Sequence, residues 1–176
     1  MPTESSNKPT PLLWLTFAVA FVVLVVDQLT KLWAVARLEG QAPTEVIGGA
    51  LRLNFVRNPG AAFSLGGGFT IIFSLIAVGV VVVIVRTAGK IESKAWAVAL
   101  GGLLGGALGN LMDRVFREPG ILRGHVVDFI QLPHWPVFNV ADMAVVGAAA
   151  LMAYLTIRGI PLSGAKEVLV EESVSS

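Results

Sequence analysis

Four long apolar stretches divide this chain and dictate where its backbone can go. Leu12 to Val26 is unbroken by charge, and its helical pattern continues through Asp27, Lys31, Trp33 and Ala36. That is about 25 residues, enough to cross a roughly 30 Å hydrocarbon core with some tilt. Phe69 to Val85 supplies 17 uncharged residues, Ala95 to Met112 a third stretch, and Val137 to Ile157 a fourth interrupted only by Asp142. The second is rich in β-branched residues, which favour strands in water. In lipid a spanning segment must satisfy its own backbone, so length and hydropathy decide for helix. Composition agrees: 14% of residues are charged, against about 25% in soluble domains, and mean hydropathy is +0.75. The expected fold is a membrane protein, mainly α, with four transmembrane helices at about 12–36, 69–85, 95–112 and 137–157 in a single domain, 12–157.

The segments between the spans are polar. Residues 1–11 read as a disordered leader and 158–176 as a polar tail. Residues 38–68 are too rich in Gly and Pro to span. Within them Leu51, Leu53 and Phe55 alternate with Arg52 and Asn54, the period of a half-buried strand. Asn58-Pro59-Gly60 is a turn signal, followed by the small, apolar Ala61-Ala62-Phe63. A small β-cradle at the membrane surface is expected here. In the third span Gly101, Gly102, Gly105, Gly106 and Gly109 make three overlapping G-x-x-x-G pairs, which let helices approach closely and need no chemistry. Asn110, Asp113 and Arg114 are expected to close that span at the interface, and 113–136 reads as a connection with Trp135 as an anchor. Ala34-Val35-Ala36 resembles a signal-peptide cleavage site, but Asp27 and Lys31 stand between it and the apolar run.

Net charge is +1 with scattered basic residues, which makes nucleic acid an unlikely partner. The absence of cysteine excludes disulfides, thiolate metal sites and a cysteine nucleophile. Four crossings put both termini on one side. Six Lys/Arg fall on that side (Lys8, Arg86, Lys90, Lys94, Arg158, Lys166) and six on the other (Arg37, Arg52, Arg57, Arg114, Arg117, Arg123). The counts decide nothing by themselves; the loop at 86–94 is the denser and short loops weigh most, which favours termini in the cytoplasm.

Charge inside these greasy segments marks the candidate chemistry. An ionised aspartate at mid-membrane costs about 2.5 to 3.5 kcal/mol on insertion scales. All four aspartates, Asp27, Asp113, Asp128 and Asp142, lie in or at the edge of an apolar segment. Asp27 and Lys31 have the favourable i,i+4 order of a helical ion pair. Asn139 and Asp142 share one face at the start of the fourth span. If the connection folds back, Asp128 meets Asp142 at the outer boundary. Two carboxylates about 3 Å apart repel by roughly 5 kcal/mol at an effective dielectric near 20, so they would share one proton and could activate a water. Three other readings stay open. Asp128 could pair with Arg114 or Arg123 while Asp142 caps its helix; the acids could line a proton or cation path; or His125, Asp128 and His134 could hold a metal, although no H-E-x-x-H is present. A Ser/Lys pair fares worse, because Lys31 is engaged by Asp27 and Ser64 and Ser74 lack a G-x-S-x-G setting.

Five blocks carry a family resemblance. Asp27-Gln-Leu-Thr-Lys31, Asn58-Pro-Gly-Ala-Ala-Phe63, Asn110-Leu-Met-Asp-Arg114, Gly124-His-Val-Val-Asp-Phe129 and Phe138-Asn-Val-Ala-Asp142 occur in order over about residues 12–157. Together they resemble lipoprotein signal peptidase (signal peptidase II), the bacterial inner-membrane aspartic protease. The resemblance implies four transmembrane helices with a periplasmic β-cradle after the first. It implies cleavage of prolipoproteins just before a diacylglyceryl-modified cysteine, without metal or other cofactor, and implies no oligomer. By position, Asp128 and Asp142 become the catalytic dyad. Asn58, Gly60, Asn110, Arg114 and Asn139 become substrate-binding or dyad-supporting residues, with Asp27 and Lys31 as a supporting pair. It also implies cytoplasmic termini, a site near the periplasmic face, and diacylated prolipoproteins and membrane lipids as partners. The connection between the acids is shorter than the family usually has, and Met143 stands where a small polar residue is usual.

Overall fold

Lacking glycine and proline, the first apolar stretch satisfies its backbone internally from Leu13 to Leu38 (α1) and ends where Glu39 turns extended and Gly40 takes φ +76°. The structure is a computed structural model that describes residues 11–60 and 68–163. Most of the polar leader, the Ala61-Ala62-Phe63 segment and most of the tail lie outside these residues. After α1 come β1 (Thr44–Ile47), β2 (Leu51–Asn58), α2 (Gly68–Thr87), α3 (Lys94–Phe116), β3 (Val126–Gln131) and α4 (Val140–Ile157). All four helices are long and apolar enough to cross a membrane. Their large side chains point outward, among them Trp14, Phe21, Val83 and Val146. A protein whose bulky apolar groups face out and whose charges face in is solvated by lipid.

The third helix is the centre of the bundle and packs along α1, α4 and α2. Its glycines resolve into two stripes. A Cβ on Gly101 or Gly105 would lie 2.6 Å from the carbonyl oxygen of Thr16 or Ala20 on α1. One on Gly106 would lie 2.6 Å from that of Ala141 on α4. The G-x-x-x-G pattern is thus a double groove that holds two helices against a third.

Two boundaries differ from the sequence reading. The third helix runs a full turn past Met112, which draws Asp113 and Arg114 into the helix instead of leaving them at its end. The connection after it contains a strand, β3, which carries Asp128. The sheet has the order β1-β2-β3, antiparallel throughout, with Asn58 opposite Val126 and Val56 opposite Asp128. The cradle is therefore closed by a strand from beyond 38–68. It sits on the end of α1, where Ala34, Val127 and Phe129 form a buried cluster with Leu53 and Phe55. Ala34 is wholly buried there, so the small-residue motif of a cleavage site is here a packing position.

The opposite end of the bundle is tied shut. Leu162 accepts the amides of Glu92 and Ser93, Trp96 donates its indole N–H to Ile160 at 2.7 Å, and Ile91 accepts the amide of Leu12. At the sheet end, α2 is tethered through Thr70 to the carbonyl of Pro59 and through Ser74 to that of Leu122.

Candidate active site

Residue by residue, the polar groups of the sheet end converge on two acids. Asp128 lies on β3, 2% exposed, because both faces of the strand are covered. Its Oδ2 accepts from Asn58 Nδ2 at 2.8 Å and its Oδ1 from Asn139 Nδ2 at 2.6 Å. Asp142 sits in the first turn of α4, where the amino end of a helix favours negative charge. Its Oδ1 accepts from Asn110 Nδ2 at 2.8 Å and its Oδ2 from the backbone amide of Asn139 at 3.2 Å. The Asn139 side chain in turn accepts the amide of Asp142 at 2.9 Å, which completes a reciprocal capping box. Every oxygen of both acids thus has a donor, and Asn139 touches both acids.

Burial pushes the Asp128 carboxyl up to about 6. The donors Asn58 and Asn139 and the more distant Lys31 oppose that rise, and the charge of Asp142 adds to it. A carboxyl with such a value takes or gives a proton near neutral pH, the property general acid–base catalysis needs.

Among the described residues Asp128 makes no ion pair with Arg114 or Arg123. The capping role considered for Asp142 is present, and it coexists with the convergence of the two acids. His125, Asp128 and His134 do not gather: among the described residues no three His, Cys, Asp or Glu side chains come together in a way that could hold a metal ion.

The remaining candidates fall around this centre. Asn58 begins a turn in which its Oδ1 accepts the amide of Gly60 at 2.8 Å. Gly60 takes φ +102°, and a Cβ there would lie 3.2 Å from the Phe73 ring, so glycine answers to the turn and to α2 as much as to any ligand. Arg114 stacks over Phe73 at 5.7 Å, and its buried Nη1 has no hydrogen-bond partner among the described residues. Lys31, wholly buried, donates to Asp27, Asp113 and Asn110 at 2.9, 3.0 and 2.9 Å. Asp113, which the sequence marks only as an acid at the edge of an apolar segment, and Gln28, which was not a candidate, also belong to this cluster. Met143 is 54% exposed, and both oxygens of Asp142 have donors from Asn110 and Asn139 without it.

The arrangement has relatives. The sequence pattern of the family described as Signal peptidase (SPase) II matches residues 19–158. The chain belongs to the signal peptidase II family. It is 50% identical over 153 residues to the lipoprotein signal peptidase of Rhodococcus jostii (strain RHA1), covering 87% of this chain and 77% of that one. Identity to the lipoprotein signal peptidase of Streptomyces coelicolor is 52% over 148 residues, covering 84% and 72%. With that of Mycobacterium avium (strain 104) it is 50% over 157 residues, covering 89% and 86%. A solved bacterial membrane enzyme, 28% identical, superposes with a TM-score of 0.74 over 86% of this chain and 97% of that one. Membership of signal peptidase II makes the chain a multi-pass membrane enzyme and an aspartic endopeptidase.

Proposed function

We propose that this signal peptidase II removes signal peptides from diacylglyceryl-modified prolipoproteins, cutting just before the lipidated cysteine, with Asp128 and Asp142 as its catalytic pair. The observation that carries this is Asn139 bridging the two carboxylates: its side-chain nitrogen donates to Asp128 Oδ1 at 2.6 Å and its backbone amide to Asp142 Oδ2 at 3.2 Å. A bridge of one residue keeps the two within reach of one water and one peptide bond.

Asp142, held by Asn110 and the start of α4, acts as the ionised partner and takes a proton from water. Asp128, raised by burial, holds the other proton and gives it to the carbonyl oxygen as the water adds to the carbonyl carbon. On collapse, the proton taken up by Asp142 passes to the departing amine, and the oxygen returns its proton to Asp128. Arg114 Nη1, a buried donor with no hydrogen-bond partner among the described residues, is suited to a substrate carbonyl. A cavity of about 410 Å³ adjoins Asp142, walled by Leu132, Trp135, Phe138, Met143 and Val146. Its apolar walls suit the greasy part of a substrate that arrives through lipid, so membrane partitioning supplies part of the positioning.

The C-terminal ends of α1 and α3, the N-terminal end of α4 and the sheet share one end of the bundle. We place that end at the periplasmic face and both termini in the cytoplasm. The test is cleavage of a diacylated prolipoprotein by the purified protein, with and without a chelator. Asp128→Asn and Asp142→Asn should each lower the rate by about 10³-fold, and chelator should change nothing. Full activity in either variant rejects the assignment.

A further inference from the structure

The dyad's two acids are each preceded by a residue whose backbone N–H is spent on a buried carboxylate. Val127, just before Asp128, donates to Asp113 Oδ2 at 3.1 Å. Ala141, just before Asp142, donates to Asp27 Oδ1 at 2.9 Å. The two receiving carboxylates are joined by one ammonium: Lys31 Nζ lies 2.9 Å from Asp27 Oδ2 and 3.0 Å from Asp113 Oδ2. Its third N–H goes to Asn110 Oδ1, whose amide nitrogen holds Asp142. All three protons of the lysine are thereby used. The outer oxygen of Asp113 accepts from Arg117 Nε at 2.7 Å, and Gln28 Nε2 closes the cluster on Asp27 at 3.1 Å and on the Gly109 carbonyl.

Stability alone does not account for such a cluster. Asp27, Lys31 and Asp113 are at most 1% exposed, and buried ion triads can often be replaced by apolar residues of similar volume without loss of stability. What apolar residues cannot do is hold a strand and a helix start, contributed by distant parts of the chain, at one fixed separation. We infer that Asp113 and Asp27 are paired positioning residues: each grips the backbone one residue ahead of a catalytic acid, and Lys31 locks the two grips together. The spacing of the dyad is thereby set from behind, on α1 and α3, and not by the dyad's own contacts alone. This rests on the reading of Asp128 and Asp142 as the catalytic pair; Asp113 enters it as a residue with no direct contact to either.

The chemistry supplies a conservative variant. In Asp113→Asn an amide oxygen at the Oδ2 position still accepts from Val127 and Lys31, while the amide nitrogen faces Arg117, which is 17% exposed and can turn to water. In Asp113→Ala the grip is gone. In a cleavage assay with diacylated prolipoprotein, Asp113→Ala should lose about 100-fold in kcat with KM nearly unchanged, and Asp113→Asn should recover most of it. Amide exchange adds a crossed readout: Asp113→Ala should loosen the 126–131 segment and spare 140–145, and Asp27→Ala should do the reverse. An unchanged kcat per folded molecule in Asp113→Ala overturns the inference, as does equal loosening of both segments in both variants. If Asp113→Ala cannot be recovered folded, Asp113→Asn decides, since retained kcat supports the grip and lost kcat overturns it. A wild-type protein that fails to cleave the lipidated probe counts against the proposed function instead; with wild type active and Asp128→Asn inactive, the outcome at position 113 bears on positioning alone.

Discussion

Asn139 donates its carboxamide to Asp128 at 2.6 Å, the shortest of the described contacts to either candidate acid, while its own oxygen caps the helix that begins at Val140. One side chain therefore does two separable things. Asn139→Ala should lose both, at a cost of about 0.5 to 2 kcal/mol for the cap and about 10²-fold in kcat for the misplaced acids. Asn139→Ser keeps a good cap but its side chain is too short to donate to Asp128. It should melt closer to wild type than the alanine variant does, yet be as inactive. Thermal melts and cleavage rates on the two proteins separate the roles, and an active Asn139→Ser would contradict this account.

The raised carboxyl of Asp128 ties stability to pH. A carboxyl at about 6 in the folded protein, against an ordinary 3.8, binds its proton more tightly folded than unfolded. The folded state is therefore favoured fully below about pH 4 and loses that advantage as pH climbs through about 6. Two pK units correspond to about 3 kcal/mol. Asp128→Asn cannot ionise, so between about pH 4 and about pH 8 it should gain stability relative to wild type by up to that amount. Melting curves across this range check the sign; a variant that loses ground as pH rises would mean the carboxyl is not raised.

Helix packing gives a third expectation. A Cβ on Gly109 would sit 2.5 Å from Asp27 Oδ2 and 3.3 Å from the Cβ of Ala141. Gly109→Ala should cost about 1 to 3 kcal/mol by overpacking, and should also disturb the contact between Asp27 and Ala141. On α2, Gly79 has nothing within 4 Å of the same position. There alanine should be neutral or stabilising by about 0.5 to 1 kcal/mol, because it restrains the unfolded chain. Unfolding measurements on the pair test whether close approach, and not glycine content, matters.

Orientation can be read directly because the sequence contains no cysteine. His134 and Lys90 are both exposed and lie at opposite ends of the bundle. In intact cells a membrane-impermeant thiol reagent should label His134→Cys and leave Lys90→Cys untouched until the membrane is opened. The reverse pattern would invert the proposed topology.

Much of this architecture is legible in the residues. The spans follow from uncharged length, β2 from the alternation of Leu51, Leu53 and Phe55, and the facing of Asn139 and Asp142 from their three-residue spacing. The strand holding Asp128 is not legible in the same way. Covered on both faces, Val126 to Gln131 has no alternation to detect, and its partner Asn58 lies 70 residues away. Asp113 is obscure for a related reason: its i,i+4 spacing to Arg117 is local, but Lys31 and Val127 reach it from two other elements, a meeting that no local pattern encodes. Arg114 lies inside α3 with its guanidinium 5.7 Å from the Phe73 ring on α2, a contact between helices that local sequence does not encode.

The one-turn spacing of Asp27 and Lys31 also bears on biogenesis. During synthesis α1 leaves the ribosome long before α3 exists, so its lysine must enter the bilayer without Asp113. With Asp27 already beside it, the nascent segment carries its own counter-ion and can be released sideways into lipid as a nearly neutral rod. Asp113 arrives later, bringing Arg117 with it, so that each of the two carboxylates enters already paired and the final joint is made between two segments already inserted.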